Sequence, residues 1–273
     1  MTELILLSPL DLGMAAALIL LLALLSWRMR LGLGNDLMIS GARTVVQLLL
    51  VGLILTAVFE QQHLVWVALI SVVMLLVAGR EAMAQQERRF SGWWGFGVGT
   101  LSMFVSSFTM TLFALLAVIG PEPWYTPQYA IPLLGMVLGN TMTGIALALD
   151  RLTQNAWDQR AIIEQRLMLG ETAAEAVRDI RRHSMRNGMI PSINAMAVAG
   201  IVSLPGMMTG QILAGSPPME AVKYQILVMF LITAGTGFGT LAAVWLGARR
   251  LFDERQRLRL DRTRLRGRES AGS

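Results

Sequence analysis

Charged residues fall in clusters along this sequence, and seven stretches between the clusters carry none: 12–27, 44–59, 64–79, 90–120, 126–149, 188–219 and 224–248. A helix needs about 20 apolar residues to cross the hydrocarbon core of a bilayer. The longer stretches meet that length, and the shorter ones reach it with interfacial residues. The pattern predicts an all-α polytopic membrane protein of about seven transmembrane helices. Stretches two and three are separated only by residues 60–63, which predicts an antiparallel helical hairpin. Stretches four and six, with 31 and 32 residues, would each reach roughly 45 Å as one straight helix, so each must tilt, break or protrude. Stretch six holds its own breaker in Ser203-Leu204-Pro205-Gly206, because proline removes a backbone donor. Irregular backbone at membrane depth is tolerated only inside protein or along a water-filled cavity. Residues 203–210 are therefore a functional suspect. Small-xxx-small pairs at Gly95/Gly99, Gly135/Gly139, Gly206/Gly210 and Gly235/Gly239 predict close helix packing.

Composition agrees: 54% of residues are hydrophobic and only 15% charged, well below the quarter or so expected of a soluble domain. Soluble enzyme folds, nucleic-acid modules and disulfide scaffolds are excluded, and no nucleic-acid partner is expected. The placement of charge says more than the net value of +5. With the loops assigned to alternate sides, 22 of the 23 basic residues share one face, and Lys223 alone lies on the other. The positive-inside rule puts the basic face in the cytoplasm, hence the N-terminus outside and the C-terminus inside. Glu3 and Asp11 precede or open the first stretch, whereas a cleaved signal would start with a basic region. The first stretch is therefore read as an uncleaved span of a multi-pass inner-membrane protein. The outer face retains Glu60, Glu122 and Glu220. The absence of Cys removes thiolate ligation and thiol redox chemistry.

Two segments lie outside the membrane. A transmembrane permease domain, 1–248, contains a cytoplasmic loop at 150–187, and a basic tail follows at 249–273. In the loop, residues 158–169 read as a helix ended by Gly170. Thr172-Ala173-Ala174-Glu175 has the capping-box form that opens a second helix, and Asn187-Gly188 is a stop signal. Ala173, Val177, Ile180 and Ser184 share one face of that helix, while Arg178, Arg181, Arg182 and Arg186 load the other. Such an element suits docking on another protein, or lying among headgroups with arginines on phosphates. The tail fits either contact with anionic membrane lipid or a solvated state.

Within this loop Glu164-Gln165-Arg166-Leu167-Met168-Leu169-Gly170 resembles the E-x-x-x-x-x-G core of ABC-transporter permease loops, with Ile180 ten residues after the glycine. The Ala-Ala after the glutamate and the Leu-Pro after the isoleucine are missing. Surrounding segments carry a fuller likeness: Gly41-Ala42-Arg43-Thr44-Val45-Val46-Gln47-Leu48, Ile131-Pro132-Leu133-Leu134-Gly135-Met136-Val137-Leu138-Gly139-Asn140, Leu169-Gly170-Glu171-Thr172, Val202-Ser203-Leu204-Pro205-Gly206-Met207-Met208-Thr209-Gly210 and Ala221-Val222-Lys223-Tyr224-Gln225-Ile226. Together they resemble the FetB-type iron-export permease family, which includes plant aluminium-tolerance half-transporters. The likeness runs from about Gly41 to Ala248. It implies a non-enzymatic membrane subunit of an ABC exporter, working as a permease homodimer with a separate cytoplasmic ATPase that carries ATP and Mg. It also makes Glu164, Leu169, Gly170, Glu171, Thr172 and Glu175 the coupling element. The residues agree with that division of labour. A phosphate-binding P-loop needs G-x-x-x-x-G-K-[ST], yet the sole lysine, Lys223, follows Val222. No cofactor is expected in this chain.

Polar side chains inside a span are costly unless paired or facing a cavity, which points to the translocation path. Gln47, Asn140 and Asn194 rank highest, with Gln211 behind them. The hydroxyls of Ser106, Ser107, Thr109, Thr111, Thr141, Thr143 and Thr209 rank lower because they can bond their own helix. Met207 and Met208 offer weak thioether contacts. Iron usually takes His, carboxylate or thiolate ligands. His63 and His183 both lie outside the uncharged stretches. A tight intramembrane metal cage is not expected, although Glu60, Glu122 or Glu220 would suit an outer exit. Another metal or a chelated or sugar-linked solute fits this polarity equally well. An ion-coupled carrier would need intramembrane ionisable groups, and the seven stretches contain none. A membrane hydrolase would need a motif such as H-E-x-x-H or G-x-S-x-G, and neither occurs.

Overall fold

The computed structural model describes residues 8–61 and 63–265. Glu3 of the acidic leader and Arg266 and Arg268 of the tail lie outside the described residues. In chain order the elements are α1 (Pro9–Arg28), α2 (Gly34–Gln61), α3 (Leu64–Ala84), β1 (Arg88–Phe90), α4 (Trp93–Phe113), α5 (Pro127–Asp158), α6 (Arg160–Met168), α7 (Ala173–Ala176), α8 (Arg178–Val198), α9 (Gly206–Leu213), α10 (Pro218–Arg250) and β2 (Thr263–Leu265). Among the described residues six helices are long and apolar enough to span a bilayer: α1, α2, α3, α4, α5 and α10. The fold is a helical, multi-pass membrane architecture, with one of the seven expected helices replaced by a broken segment.

That segment is stretch six. Its helix α8 stops at Val198, ahead of the predicted breaker, and a turn closed by the Gly200 N–H on the Ser203 carbonyl (2.9 Å) leads to Pro205 and the short α9. Pro205 sits immediately before α9, where a missing N–H costs nothing. Stretch four resolves its excess length differently. After Phe113 the helix widens into a π-helical turn, Ala114–Ile119, that ends at Gly120 with φ of +61°.

The chain forms two compact units. The first contains the described residues up to His63 together with Leu213–Ser216. Here α1 opens on a reciprocal capping box, in which the Asp11 N–H donates to the Ser8 hydroxyl and the Ser8 N–H donates to the Asp11 carboxylate. The α1–α2 turn is pinned by the Leu33 N–H donating to the buried Ser26 hydroxyl (3.2 Å). Gly34 lies so close to the Trp27 indole that a Cβ would overlap the ring. Only Gly34 and Val58 of α2 are buried, so nearly all of this apolar helix faces outward.

The second unit, Leu64–Ile212 and Pro217 onward, is built around α5, which packs against α3, α4, α8 and α10. Between membrane helices the hydrophobic effect offers little, since lipid is as apolar as leucine, and close van der Waals contact has to replace it. Glycines permit that contact. A Cβ on Gly144 would meet the Gly188 carbonyl at 2.9 Å, and one on Gly188 would meet Ala148 and Thr240 at the same distance. Gly239 faces Ser106 and Thr141, and Gly235 faces Val137. Gly188 is therefore not the predicted helix stop: α8 runs straight through Asn187-Gly188, because the missing side chain lets α8 lie against α5. The glycine pairs predicted to pack divide likewise. Gly95, Gly99, Gly135, Gly235 and Gly239 have close neighbours, whereas Gly139, Gly206 and Gly210 meet nothing within 4 Å.

At the arginine-rich end, the apolar core continues beyond the spans. Ile163, Val177, Ile180 and Leu251 join Leu149, Leu152 and Val244 in one buried cluster. Where this end meets water, enclosing an Ile or Val side chain is worth roughly 1.5–3 kcal/mol. The tail is a folded part of this end as far as Leu265. Its β2 pairs antiparallel with β1, Phe90 opposite Thr263, and Arg262 donates to the carbonyls of Arg250 and Phe252. In turn β1 is tied to α5: the Thr153 hydroxyl donates to the Arg88 carbonyl (2.6 Å), the Glu87 N–H to the Asp150 carboxylate (2.7 Å), and the Arg88 guanidinium stacks on Trp157.

Candidate functional site

The loop between α5 and α8 is assembled from the predicted parts in a different arrangement. The span α5 extends into it as far as Asp158, α6 follows, and Gly170, at φ of +92°, turns the chain in a conformation that L side chains rarely adopt. The capping box forms as expected. The Glu175 N–H donates to the Thr172 hydroxyl, and the Glu175 carboxylate accepts the Thr172 N–H (2.9 Å) and hydroxyl proton (2.7 Å). Those two hydrogen bonds, the backbone one first, hold the Glu175 carboxyl below its ordinary pKa. The capped helix α7 lasts only four residues before Val177 leaves helical geometry and α8 begins. The predicted faces are correct: Val177, Ile180 and Ser184 are buried and Ala173 half-buried, while Arg178, Arg182 and Arg186 are exposed and Arg181 half-buried.

Glu164, Leu169, Gly170, Glu171, Thr172 and Glu175 all lie on the outer side of this loop. Met168 and Leu169 are about four-fifths exposed (81% and 79%), forming an apolar tip on a polar surface. Charges brace the turn beneath it. Arg166 lies 4.0 Å from Glu171 and 3.5 Å from Asp179, and Arg178 lies 3.8 Å from Glu175. Against the tip runs a groove of about 800 Å³, lined by Glu164, Met168, Gly170 and Thr172 on one wall and by residues 254–258 of the tail on the other. The Gln256 side-chain oxygen accepts the Ala173 N–H (2.9 Å), so the tail is fastened to the loop. Sequence reading missed this second wall. Its one local sign is Asp253, whose carboxylate accepts the N–H groups of Arg255 and Arg257 and folds the tail into a turn. Its loop partner is 83 residues away.

Within the second unit the translocation candidates are not gathered in this way. Asn140 is exposed on α5 and donates to the carbonyl of Met136 on its own helix (2.8 Å). Asn194 is exposed on α8, Gln47 is exposed on α2 of the first unit, and Met207, Met208 and Gln211 are half-buried on α9. Among the described residues the buried polar groups of the spans are instead hydroxyls, together with the Gln225 amide of α10. Ser106, Ser107 and Thr141, which rank below the amides in the sequence, and Thr236 and Thr240, which it does not single out, are all buried on α4, α5 and α10, where these helices form a seam. Small hydroxyls fit beside the glycines of that seam, and Ser106 satisfies itself on the Ser102 carbonyl (2.8 Å). Among the carboxylates expected at the outer face, Glu220 is paired with Lys223 at 2.7 Å, and Glu60 and Glu122 are exposed. Among the described residues no three His, Asp or Glu side chains converge to hold a metal ion.

A family model described as an uncharacterised protein family, UPF0014, matches residues 9–252. The chain belongs to the UPF0014 family. It is 39% identical over 241 residues to the UPF0014 membrane protein slr1647 of Synechocystis, a match covering 87% of this chain and 90% of that one. It is 30% identical over 255 residues to the Probable iron export permease protein FetB of Escherichia coli, covering 91% and 93%. It is also 30% identical over 232 residues to Protein ALUMINUM SENSITIVE 3 of Arabidopsis thaliana, covering 85% and 83%. No solved structure matches the chain. This UPF0014 chain is thus a multi-pass membrane protein similar, over most of its length, to a protein named as a permease.

Proposed function

We propose that this UPF0014 protein is the membrane permease subunit of an ABC transporter that exports iron, energised by a separate cytoplasmic ATPase that holds ATP and Mg. Two permease copies on two ATPases are the assembly this reading implies. The observation that carries it is the continuity of the α5–α8 loop with the spans. An exposed apolar tip at Met168–Leu169 is braced by ion pairs and rooted in the core through Ile163, Val177 and Ile180. The helix α5 extends into the loop as far as Asp158, and α8 continues from it past Gly188. A push on the tip by a closing ATPase dimer would therefore move α5 and α8 as rigid levers, the kind of packed-helix displacement that switches a transport path. The concentration of arginines at this end supports a cytoplasmic placement.

Iron is proposed from the likeness to the relative named an iron export permease. The sparse polarity of the spans suits weak, transient cargo contacts. Co-expression with candidate ATPases from the same genome tests the partnership: the ATPase should co-purify, its activity in lipid should rise with the permease, and Gly170→Trp or Glu164→Arg should abolish the rise. Transport that proceeds without ATP and without any co-purifying ATPase would refute it in favour of an ion-coupled carrier. For the cargo, cells lacking the gene should hold more total iron under iron load. Unchanged iron with altered levels of another metal or of a sugar-linked solute would transfer the role to that solute.

A further inference from the structure

The last turn of α10 and the tail that follows it form a cationic cleft that the coupling loop does not use. A cavity of about 360 Å³ is lined there by Trp94, Leu246, Arg249, Arg250, Phe252 and Arg262, with Asp253 and Glu254 at its rim. Its depth in the membrane follows from the elements that frame it. The apolar body of α10 ends at Arg249-Arg250, and α4 begins at Trp93-Trp94, with Trp93 largely exposed. Tryptophan beside arginine at the end of a spanning helix marks the headgroup layer.

The cations in this cleft are positioned rather than loose. Arg249 lies 3.8 Å over the Trp245 ring and Arg250 lies 4.6 Å over that of Trp94. Arg262 is pinned by donating to the carbonyls of Arg250 (3.1 Å) and Phe252 (3.0 Å). Of the two acids, Asp253 is already engaged by the N–H groups of Arg255 and Arg257 and by the Arg257 guanidinium at 2.8 Å. Three arginines therefore line the cleft, and of its two carboxylates only Glu254 has no hydrogen bond or ion pair among the described residues. The Nε–H of Arg250 is buried and has no hydrogen-bond partner among the described residues. A buried donor on a cation left unpaired costs more than an ordinary unmade hydrogen bond, so the cleft is short of an anionic acceptor.

We propose that this cleft binds the phosphodiester headgroup of an anionic phospholipid. The phosphate oxygens would accept from Arg250 and its neighbours, and the acyl chains would run along the exposed faces of Trp94 and Trp245 into the bilayer. Basic pockets between spanning helices at the cytoplasmic surface are suited to such headgroups. Because β2 and the Gln256 contact to the coupling loop belong to the same tail, headgroup binding would also steady the wall of the loop groove.

The test uses the full chain purified in detergent and challenged separately with phosphatidylglycerol, phosphatidylcholine and inorganic phosphate. Native mass spectrometry should show phosphatidylglycerol retained under conditions that strip phosphatidylcholine, and phosphatidylglycerol should raise Tm by several degrees. Arg250→Gln should weaken retention about tenfold, the scale of one charge-assisted hydrogen bond, with a similar loss for Arg249→Gln. Lys223→Gln, at the opposite end of α10, should leave retention unchanged. Equal retention of the two lipids by the wild-type chain overturns the proposal without recourse to any variant. So does a Tm rise with inorganic phosphate equal to that with phosphatidylglycerol, which would mark a soluble-anion site. Wild-type retention by both arginine variants would also overturn it.

Discussion

Glycine does opposite work in the two halves of the broken sixth stretch. On α8, Gly188 lies against the Gly144 backbone, Ala148 and Thr240, and a side chain there would push α8 off α5. On α9, Gly206 and Gly210 meet nothing within 4 Å, although within stretch six it is they that carry the G-xxx-G spacing. The difference shows that a small residue enables close packing only where another helix lies opposite it. Spacing along one helix cannot report that. The half that packs on α5 and α10 leads directly from the α5–α8 loop, whereas α9 has no buried residue.

The largest expected effect comes from filling the tight half. Gly188→Leu inserts a whole side chain into the α5–α8 contact, and overpacking of this kind costs about 1–3 kcal/mol or more. Size-exclusion profiles in detergent should show loss of the monodisperse peak; a well-behaved variant would mean that α8 does not seat on α5. Gly239→Ala is the milder version on α10, since the new Cβ would sit 2.7 Å from both the Ser106 hydroxyl and Thr141. Its Tm should fall, by an amount near the lower end of that range.

Thr172→Ala tests the root of α8 rather than its seam. Loss of the cap should cost about 1 kcal/mol, visible as faster proteolysis of the loop with little change in the spans. The same capping box predicts a pH dependence. Since the Thr172 N–H and hydroxyl lower the folded-state pKa of Glu175, their contribution is fully present above the ordinary carboxyl value. It is lost as pH falls through the lowered native value, and loop protection in hydrogen exchange should weaken over that window. The smallest effect belongs to the open half. Gly210→Ala should leave stability within about 0.5 kcal/mol of the wild type, read as a Tm unchanged or slightly raised because alanine is the better helix former. A clear loss at Gly210 would show that α9 is covered in the native assembly.

Features set by near neighbours are legible in the sequence. The Thr172–Glu175 capping box and the Gly170 turn were readable because their partners lie within a few positions. The Ile180 face was readable because helical periodicity carries it. Gly188 was misread as a stop because Asn-Gly is a stop signal only when no helix lies opposite to reward continuation. Asn140 and Asn194 were ranked above the hydroxyls on polarity alone. Their exposure and the burial of Ser106, Ser107 and Thr141 depend on which faces of α4, α5, α8 and α10 meet. The tail wall of the groove depended on a contact between Gln256 and Ala173 that no local pattern encodes.

Residue order alone makes this a helical membrane protein, sets where its apolar stretches lie and which end gathers the arginines, and contains no P-loop motif. Those properties are sums over neighbouring residues, and the bilayer reads them locally. Packing in three dimensions settles which glycines bring helices together, that stretch six breaks at Val198 rather than Pro205, and that the basic tail folds back on the α5–α8 loop. These outcomes depend on pairs of surfaces meeting in space, and each surface takes its meaning from the one opposite.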